Sequence, residues 1–196
     1  MAWVIIGLGN PGEEYKTTRH NTGRMAVEFF AKKNDASEWR DDKKAIATVA
    51  EAPVAGKNAS LVLPNTYMNK SGTSAARYVK SVKAAEQLIV AYDDLDLPLG
   101  RIKISFDRGS GGHKGIESVT RAVKTKKFAR IRIGISPSTA SGKTKKPQGE
   151  ADVEKFILGK FTPSQMDELK KVFKAVAEAI ECIASEGREV AMTRFN

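Results

Sequence analysis

Two histidines, His20 and His113, are the only ones in the chain, and both sit among small, polar and charged residues. The first lies in Thr18-Arg19-His20-Asn21-Thr22-Gly23, the second in Gly109-Ser110-Gly111-Gly112-His113-Lys114-Gly115. Imidazole is the side chain that takes or gives a proton near neutral pH. Glycines beside it leave room for a substrate, whereas a core histidine is more often ringed by apolar residues. Asn10 and Asn69 add carboxamides, each with a donor and an acceptor, which suits a substrate carbonyl or a developing oxyanion. The plainer reading is that each amide ties down its own loop.

Asp93, Asp94 and Asp96 follow an apolar run that reads as a strand. Strand C-terminal ends are where α/β sheets collect ligands. An aspartate beside His20 could orient its ring and stabilise the imidazolium, or the three acids could hold Mg²⁺. No G-x-x-x-x-G-K-[ST] loop accompanies them, which ranks the metal lower. There is no G-x-S-x-G elbow and no H-E-x-x-H. Two histidines and Cys182, which falls in a helical pattern, do not make the usual zinc sites. The chemistry that remains is an activated water with a histidine base.

Gly7-Leu8-Gly9-Asn10-Pro11-Gly12 matches the dinucleotide pattern G-x-G-x-x-G after a first strand. Glu13 and Glu14, however, place two negative charges where a pyrophosphate would lie. No second strand with an acidic end appears near residue 32. The glycines are better read as freeing the backbone to present Asn10, with the Asn-Pro step fixing a tight loop.

Charge narrows the partner. Residues 1–98 carry 13 Lys/Arg and 12 Asp/Glu, residues 99–146 carry 13 and 2, and residues 147–196 carry 7 and 9. The middle block, at 13 − 2 = +11, therefore holds the whole excess of the +10 chain. It points to a polyanion, RNA or DNA first and an anionic membrane surface second. No apolar run approaches the roughly 20 residues that span a bilayer. The N-terminus reads as a strand, not a signal peptide. A lone cysteine fits a reducing compartment, the cytoplasm.

These residues need elements to position them. Val4, Ile5 and Ile6 form a short buried strand, and Asn21 or Thr22 can cap a helix through Met25, Ala26, Phe29 and Phe30. Residues 35–44 read as loop, and 45–49 and 59–63 as strands with a turn between. Ser71 opens a helix to about residue 83, and residues 88–92 form a strand ended by the acids. Residues 101–106 and 130–133 alternate apolar with polar, and a helix over about 115–124 joins them. Residues 137–149 look like a mobile loop, and Thr162-Pro163-Ser164 starts the last helix. Strands and helices alternate over a length suited to one core, which predicts a single α/β domain over residues 1–196.

Taken together, the motifs resemble the bacterial-type peptidyl-tRNA hydrolase family almost from end to end. The resemblance rests on Gly7 to Gly12 with Tyr15, Thr18-Arg19-His20-Asn21 and Pro64-Asn65-Thr66-Tyr67-Met68-Asn69-Lys70-Ser71-Gly72. It continues through Asp93-Asp94-Leu95-Asp96-Leu97-Pro98-Leu99-Gly100, Gly111-Gly112-His113-Lys114-Gly115, Arg130-Ile131-Arg132-Ile133-Gly134-Ile135 and Phe156-Ile157-Leu158-Gly159-Lys160-Phe161. It implies a twisted mixed β-sheet packed between α-helices, a monomer, no cofactor and no metal. It also implies cleavage of the ester joining a blocked peptide to the 3′ end of tRNA. By position, His20 would be the base, Asp93 its orienting acid, and Asn10 and Asn69 the amides at the scissile ester and carbonyl. Tyr15 and Tyr67 would line the groove for the 3′ end and peptide, and His113 would help hold Asn69 and the substrate. Arg132 would meet the tRNA 5′ phosphate, and the basic block its acceptor stem.

Two residues depart from the family pattern. Lys114 stands where asparagine is usual, and a lysine can donate to a substrate or meet nucleic acid but cannot accept. Ser105 stands where a phosphate-binding lysine is common. Lys103 lies two residues, roughly 7 Å, away on the same strand face, and it or Arg108 is expected to substitute. The competing readings are a non-catalytic RNA-binding module of the same fold and a hydrolase of another activated ester.

Overall fold

The computed structural model describes residues 2–139 and 143–196. Seven strands form one mixed sheet in the order β2-β3-β4-β1-β5-β7-β6. They are β1 (Val4–Gly7), β2 (Arg40–Asp42), β3 (Ala47–Val54), β4 (Lys57–Pro64), β5 (Leu88–Pro98), β6 (Ile102–Phe106) and β7 (Ala129–Ser136). The centre is parallel, with β1 between β4 and β5 and β5 beside β7. Both margins are antiparallel: β2, β3 and β4 on one side, β6 against β7 on the other.

The period-2 alternation of the strands divides the core in two. Ile5, Ile89, Ala91, Ile131 and Ile133 face one side, where α1 (Thr22–Lys33) and the long α5 (Pro163–Ser185) cover them. Val4, Ile6, Leu88, Val90 and Tyr92 face the other, under α2 (Gly72–Tyr78) and α3 (Lys114–Val123). The two remaining helices are α4 (Glu150–Leu158) and α6 (Arg188–Phe195). α4 has no fully buried residue; Phe156 and Ile157 on its short apolar side pack partly buried against the core.

Several boundaries differ from the sequence expectation. The segment 35–44 contains β2, a short edge strand whose charged residues are mostly exposed. The helix opening at Ser71 ends at Tyr78, because Val79 is extended and Ser81 begins a new turn that accepts the Ala84 amide. β5 does not stop at the acids but runs through them to Pro98, with an irregularity in its pairing to β7 between Asp94 and Pro98. At the last long helix, Thr162 and Gln165 form a reciprocal capping box with Pro163 in the first turn, as the Thr-Pro-Ser signal predicted. Of the loop expected over residues 137–149, residues 140–142 lie outside the described residues; Ser138 and Thr144 form an antiparallel bridge.

One close approach places the chemistry. The start of α1 lies flush against the ends of β1 and β5. A Cβ on Gly23 would stand 2.1 Å from the Ala91 carbonyl oxygen, and one on Gly7 would stand 2.6 Å from that of Gly23. Neither backbone oxygen can move without parting helix from sheet. This contact, rather than phosphate binding, accounts for the first glycine of the G-x-G-x-x-G segment. A 3-10 turn, Glu13–Tyr15, follows Gly12 where a dinucleotide fold would begin a helix.

Gly23→Ala is therefore expected to destabilise the protein by about 1–3 kcal/mol through overpacking. The measurement is a lowered urea midpoint at unchanged m value.

Candidate active site

Asn10 is held by three bonds that leave one donor open. Asn21 Oδ1 accepts the Asn10 amide at 2.9 Å, and Asn21 Nδ2 donates to the Asn10 carbonyl at 2.9 Å. Asn10 Oδ1 in turn accepts from the Met68 amide at 2.8 Å. The carboxamide orientation is thereby fixed, and its Nδ2 points to the cleft without a partner among the described residues. Asn21 or Thr22 was expected to cap α1; Asn21 is the N-cap by position, but its side chain makes no cap bond and serves Asn10 instead. That role had no sequence signal beyond its place next to His20, because the contact spans the turn between two elements.

His20 occupies a 3-10 turn, Arg19–Asn21, just ahead of α1. Arg19 braces this turn. Its guanidinium lies 4.4 Å from the Phe156 ring centroid and 5.3 Å from that of Phe161, and Nη1 donates to the Phe156 carbonyl. From this turn His20 Nδ1 reaches both carboxylate oxygens of Asp93, each at 3.0 Å. Asp93 accepts only, so the proton of a neutral His20 ring sits on Nδ1 and Nε2 carries the free lone pair.

His113 meets the same carboxylate from the opposite side. It is the N-cap of α3, and its Nδ1 accepts the Ile116 amide at 3.2 Å. Its other nitrogen, Nε2, bonds Asp93 Oδ1 at 3.1 Å and must be the donor. The two rings lie 5.2 Å apart, and Tyr92 packs its edge against His113 at 4.8 Å. The family resemblance implied that His113 holds Asn69. The structure places it on Asp93 instead, and among the described residues no hydrogen bond joins it to Asn69. The physical reason is that α3 fixes the ring at its first turn, within reach of β5.

Asp93 is 3% exposed. Burial opposes its charge, but the attraction of His20 and then of His113, with their hydrogen bonds, holds its carboxyl well below the usual carboxylate range. Ligand atoms of His20, Asp93 and His113 lie within 4.8 Å of one another, close enough to hold a metal ion. The polarity of the set does not fit one. A neutral His113 bound to metal through Nε2 needs its proton on Nδ1, where the Ile116 amide already points.

The other expected residues line one cleft of about 1330 Å³ with this triad. Tyr15 is half-buried, Tyr67 is 62% exposed, and Asn69 stands exposed in a 3-10 turn, Met68–Lys70, that follows Tyr67. On the far side, alternation sends Ile104, Ile131 and Ile133 into the core and turns Lys103, Ser105, Arg130 and Arg132 towards the cleft. Lys103 is directly opposite Arg132 across the β6–β7 ladder. Arg132 Nε bonds Asp94 Oδ2 at 2.5 Å, and Lys146 pairs with Asp96. These two acids are thus neutralised by basic residues, not gathered with Asp93 around Mg²⁺. Lys114 lies at the cleft rim, 3.4 Å from Glu150 on α4.

An α/β sheet whose central strand carries a carboxylate that orients a histidine from the adjoining turn, flanked by an open amide and a basic floor, defines a hydrolase of the activated-water class acting on an anionic substrate. The sequence profile of the peptidyl-tRNA hydrolase family matches residues 4–196, and the chain belongs to that family. It is 40% identical over 197 residues to a peptidyl-tRNA hydrolase of Chloroflexus aggregans, covering 99% of this chain and 98% of that one. Identity to the peptidyl-tRNA hydrolase of Thermotoga petrophila is 39%, covering 98% and 96%. Among solved structures, peptidyl-tRNA hydrolase from Acinetobacter baumannii superposes with a TM-score of 0.86 at 30% identity, covering 100% of this chain and 94% of that one.

The depressed carboxyl of Asp93 has a sign that can be checked. Its folded value lies below its unfolded value, so its contribution to stability is present above the unfolded pKa of about 3.9 and is lost as pH falls through and below it. Asp93→Asn is expected to flatten that acid-side loss. The check is thermal unfolding of both proteins between neutral pH and pH about 3.

Proposed function

We infer that this chain hydrolyses the ester between an N-blocked peptide and the 3′ end of tRNA. The observation that carries this reading is the pair of bonds from His20 Nδ1 to Asp93, which leaves Nε2 as a proton acceptor facing the cleft. A water on Nε2 attacks the ester carbonyl carbon, and His20 takes its proton. Asp93 stabilises the imidazolium. The tetrahedral oxyanion is met by the carboxamide donors of Asn10 and Asn69, and collapse returns the proton to the departing 3′ oxygen. An aminoacyl ester is already activated, so a base and amide donors, each contributing on the order of 10²–10³-fold, suffice without a Lewis acid.

Asn10 sits at the scissile ester, where its fixed orientation suits a test of whether the α-nitrogen is blocked. Tyr15 and Tyr67 provide ring faces for the CCA end and the first peptide residues. Lys103, Arg108 and Arg132 face the phosphates of the acceptor stem, with Lys103 supplying the charge that Ser105 lacks. Lys114 reaches the same backbone once released from Glu150. Phosphate contacts of this kind hold any tRNA without reading its sequence. The chain works as a monomer in the cytoplasm; among the described residues, no helix is long and apolar enough to cross a membrane. The alternative of a binding module without catalysis finds no support: the relatives are hydrolases, and a pure binder has no use for a base with its orienting acid.

N-acetylaminoacyl-tRNA, offered beside the same tRNA with a free amino group and in the presence of chelator, is expected to be cleaved alone. His20→Ala is expected to lower kcat by at least about 10²-fold. Tight tRNA binding with no cleavage by wild type would instead leave the binding module.

The joint change Lys103→Ala and Arg108→Ala is expected to weaken tRNA binding and reduce the slope of log K against log salt by about 1 to 2. An unchanged slope removes these residues from the phosphate contacts.

A further inference from the structure

Arg130 is 1% exposed, and among the described residues it forms no ion pair. Asp107 favours its charge through space, but a buried cation with no ion-pair partner is costly unless its donors are satisfied. Here they are directed at one segment of backbone. Nη1 donates to the Gly109 carbonyl at 2.9 Å, and Nη2 donates to that of Arg108 at 2.7 Å and, more loosely, to that of Lys126 at 3.5 Å. The guanidinium lies 4.8 Å from the centroid of Phe128, and Nε is buried with no partner.

The segment it grips has little else to hold it to the sheet. Between β6 and α3 the backbone turns through positive φ at Asp107, Gly111 and Gly112. A Cβ on Gly109, Gly111 or Gly112 would meet nothing within 4 Å, so side-chain packing does not pin the loop at these positions. Its other side-chain bonds are local: Ser110 Oγ donates to Glu117, and Gly112 N donates to Ser110 Oγ. Glycines leave the chain the widest conformational choice; Arg130 on β7 ties the first half of the loop down, and His113 ties its end to β5. The loop ends at His113, whose amide donates to the Ser110 carbonyl and whose Nε2 bonds Asp93. Tyr92 closes the circuit: its ring packs on His113, and its phenol and the Arg130 guanidinium are electrostatic neighbours.

We propose that Arg130 is a positioning residue of the hydrolysis: by gripping the backbone of Arg108 and Gly109 it holds the loop that leads into the α3 N-cap, so that His113 keeps its bond to Asp93 and steadies the carboxylate that orients His20. Arg130 touches neither substrate nor reacting atoms. It acts through a loop, a second histidine and a shared carboxylate. The inference rests on the hydrolase reading for its kinetic consequence, but not for its structural one.

The chain has only two histidines, so ¹⁵N labelling of the imidazole rings reports the arrangement directly, with His113→Ala giving the assignment. In wild type, neutral His113 is expected to carry its proton on Nε2 and neutral His20 on Nδ1. Arg130→Met is expected to mix the His113 tautomers, with Arg130→Lys, which keeps a cation and part of the grip, lying between. In turnover, Arg130→Met lowers kcat by about 10- to 100-fold with KM little changed. In a His113→Ala background the same change costs no more than about twofold further, since both act along one path.

A merely structural arginine would give a different pattern: lower thermal stability, unchanged ring tautomers, and kcat losses that multiply in the double variant. Either unchanged tautomers in a folded Arg130 variant or multiplying losses overturn the proposal. Should Arg130→Met fail to fold, the same two readouts on Arg130→Lys decide. Wild type that cleaves no blocked aminoacyl-tRNA would sink the hydrolase reading, while the ring signals would still settle whether Arg130 sets His113.

Discussion

A carboxylate buried between two imidazoles is the constraint from which the rest of this site follows. Asp93 is almost fully out of water, and an isolated charge there would cost several kcal/mol. Two ring N–H donors offset that cost, and in doing so they settle the proton on each ring. His20 is forced to carry its proton on Nδ1 and His113 on Nε2. The same carboxylate thus makes one histidine an outward-facing base and the other an inward-facing strut. Three separate elements must converge for this: β5 brings Asp93, the turn ahead of α1 brings His20, and the N-cap of α3 brings His113. The Gly7–Gly23–Ala91 approach sets the distance for the first pair.

The cleft beside this triad owes its charge to the simplest property of a strand. Alternate side chains of β6 and β7 fall on opposite faces, so a single run serves core and ligand together. Ile131 and Ile133 help build one hydrophobic layer, while Arg130 and Arg132 between and beside them face the other way. Lys103 opposite Arg132 places like charges across the ladder, an arrangement that disfavours the free protein and favours an anion between them. Asp94 and Asp96 moderate this by engaging Arg132 and Lys146. The acids after Asp93 therefore engage the basic face instead of gathering with Asp93 as a metal site.

The family pattern and this chain's own departures fit the same picture. Ser105 leaves an uncharged, nearly buried hydroxyl on the basic floor, and Lys103 stands next to it on the same face. Lys114 begins α3 at the rim and pairs with Glu150 on α4, across the mouth of the cleft. Both are exposed, so this pair contributes little to stability. Its consequence is positional, since it holds a cation at the mouth of the cleft.

The sequence by itself determined the element types and the chemical inventory. The alternation in residues 101–106 and 130–133, the Thr-Pro-Ser helix start and the helical spacing of α5 are local patterns, and local sterics and hydrogen bonding enforce them wherever they occur. The two histidines in polar segments, the amides and the +11 block were likewise visible as residues. What the tertiary structure decided is who meets whom. The residues alone offered three acids and the family resemblance pointed to Asp93; the structure puts Asp93 between the two rings and leaves Asp94 and Asp96 to basic partners. Asn21 read as a helix cap until its side chain closed around Asn10. His113 came to bear on Asp93, and Arg130, one of 33 basic residues in the chain, became the buried grip on a glycine loop. Each of these is a contact between residues far apart in the chain or on different elements. Local propensity carries no term for such pairings, and only the packing of sheet against helix selects them.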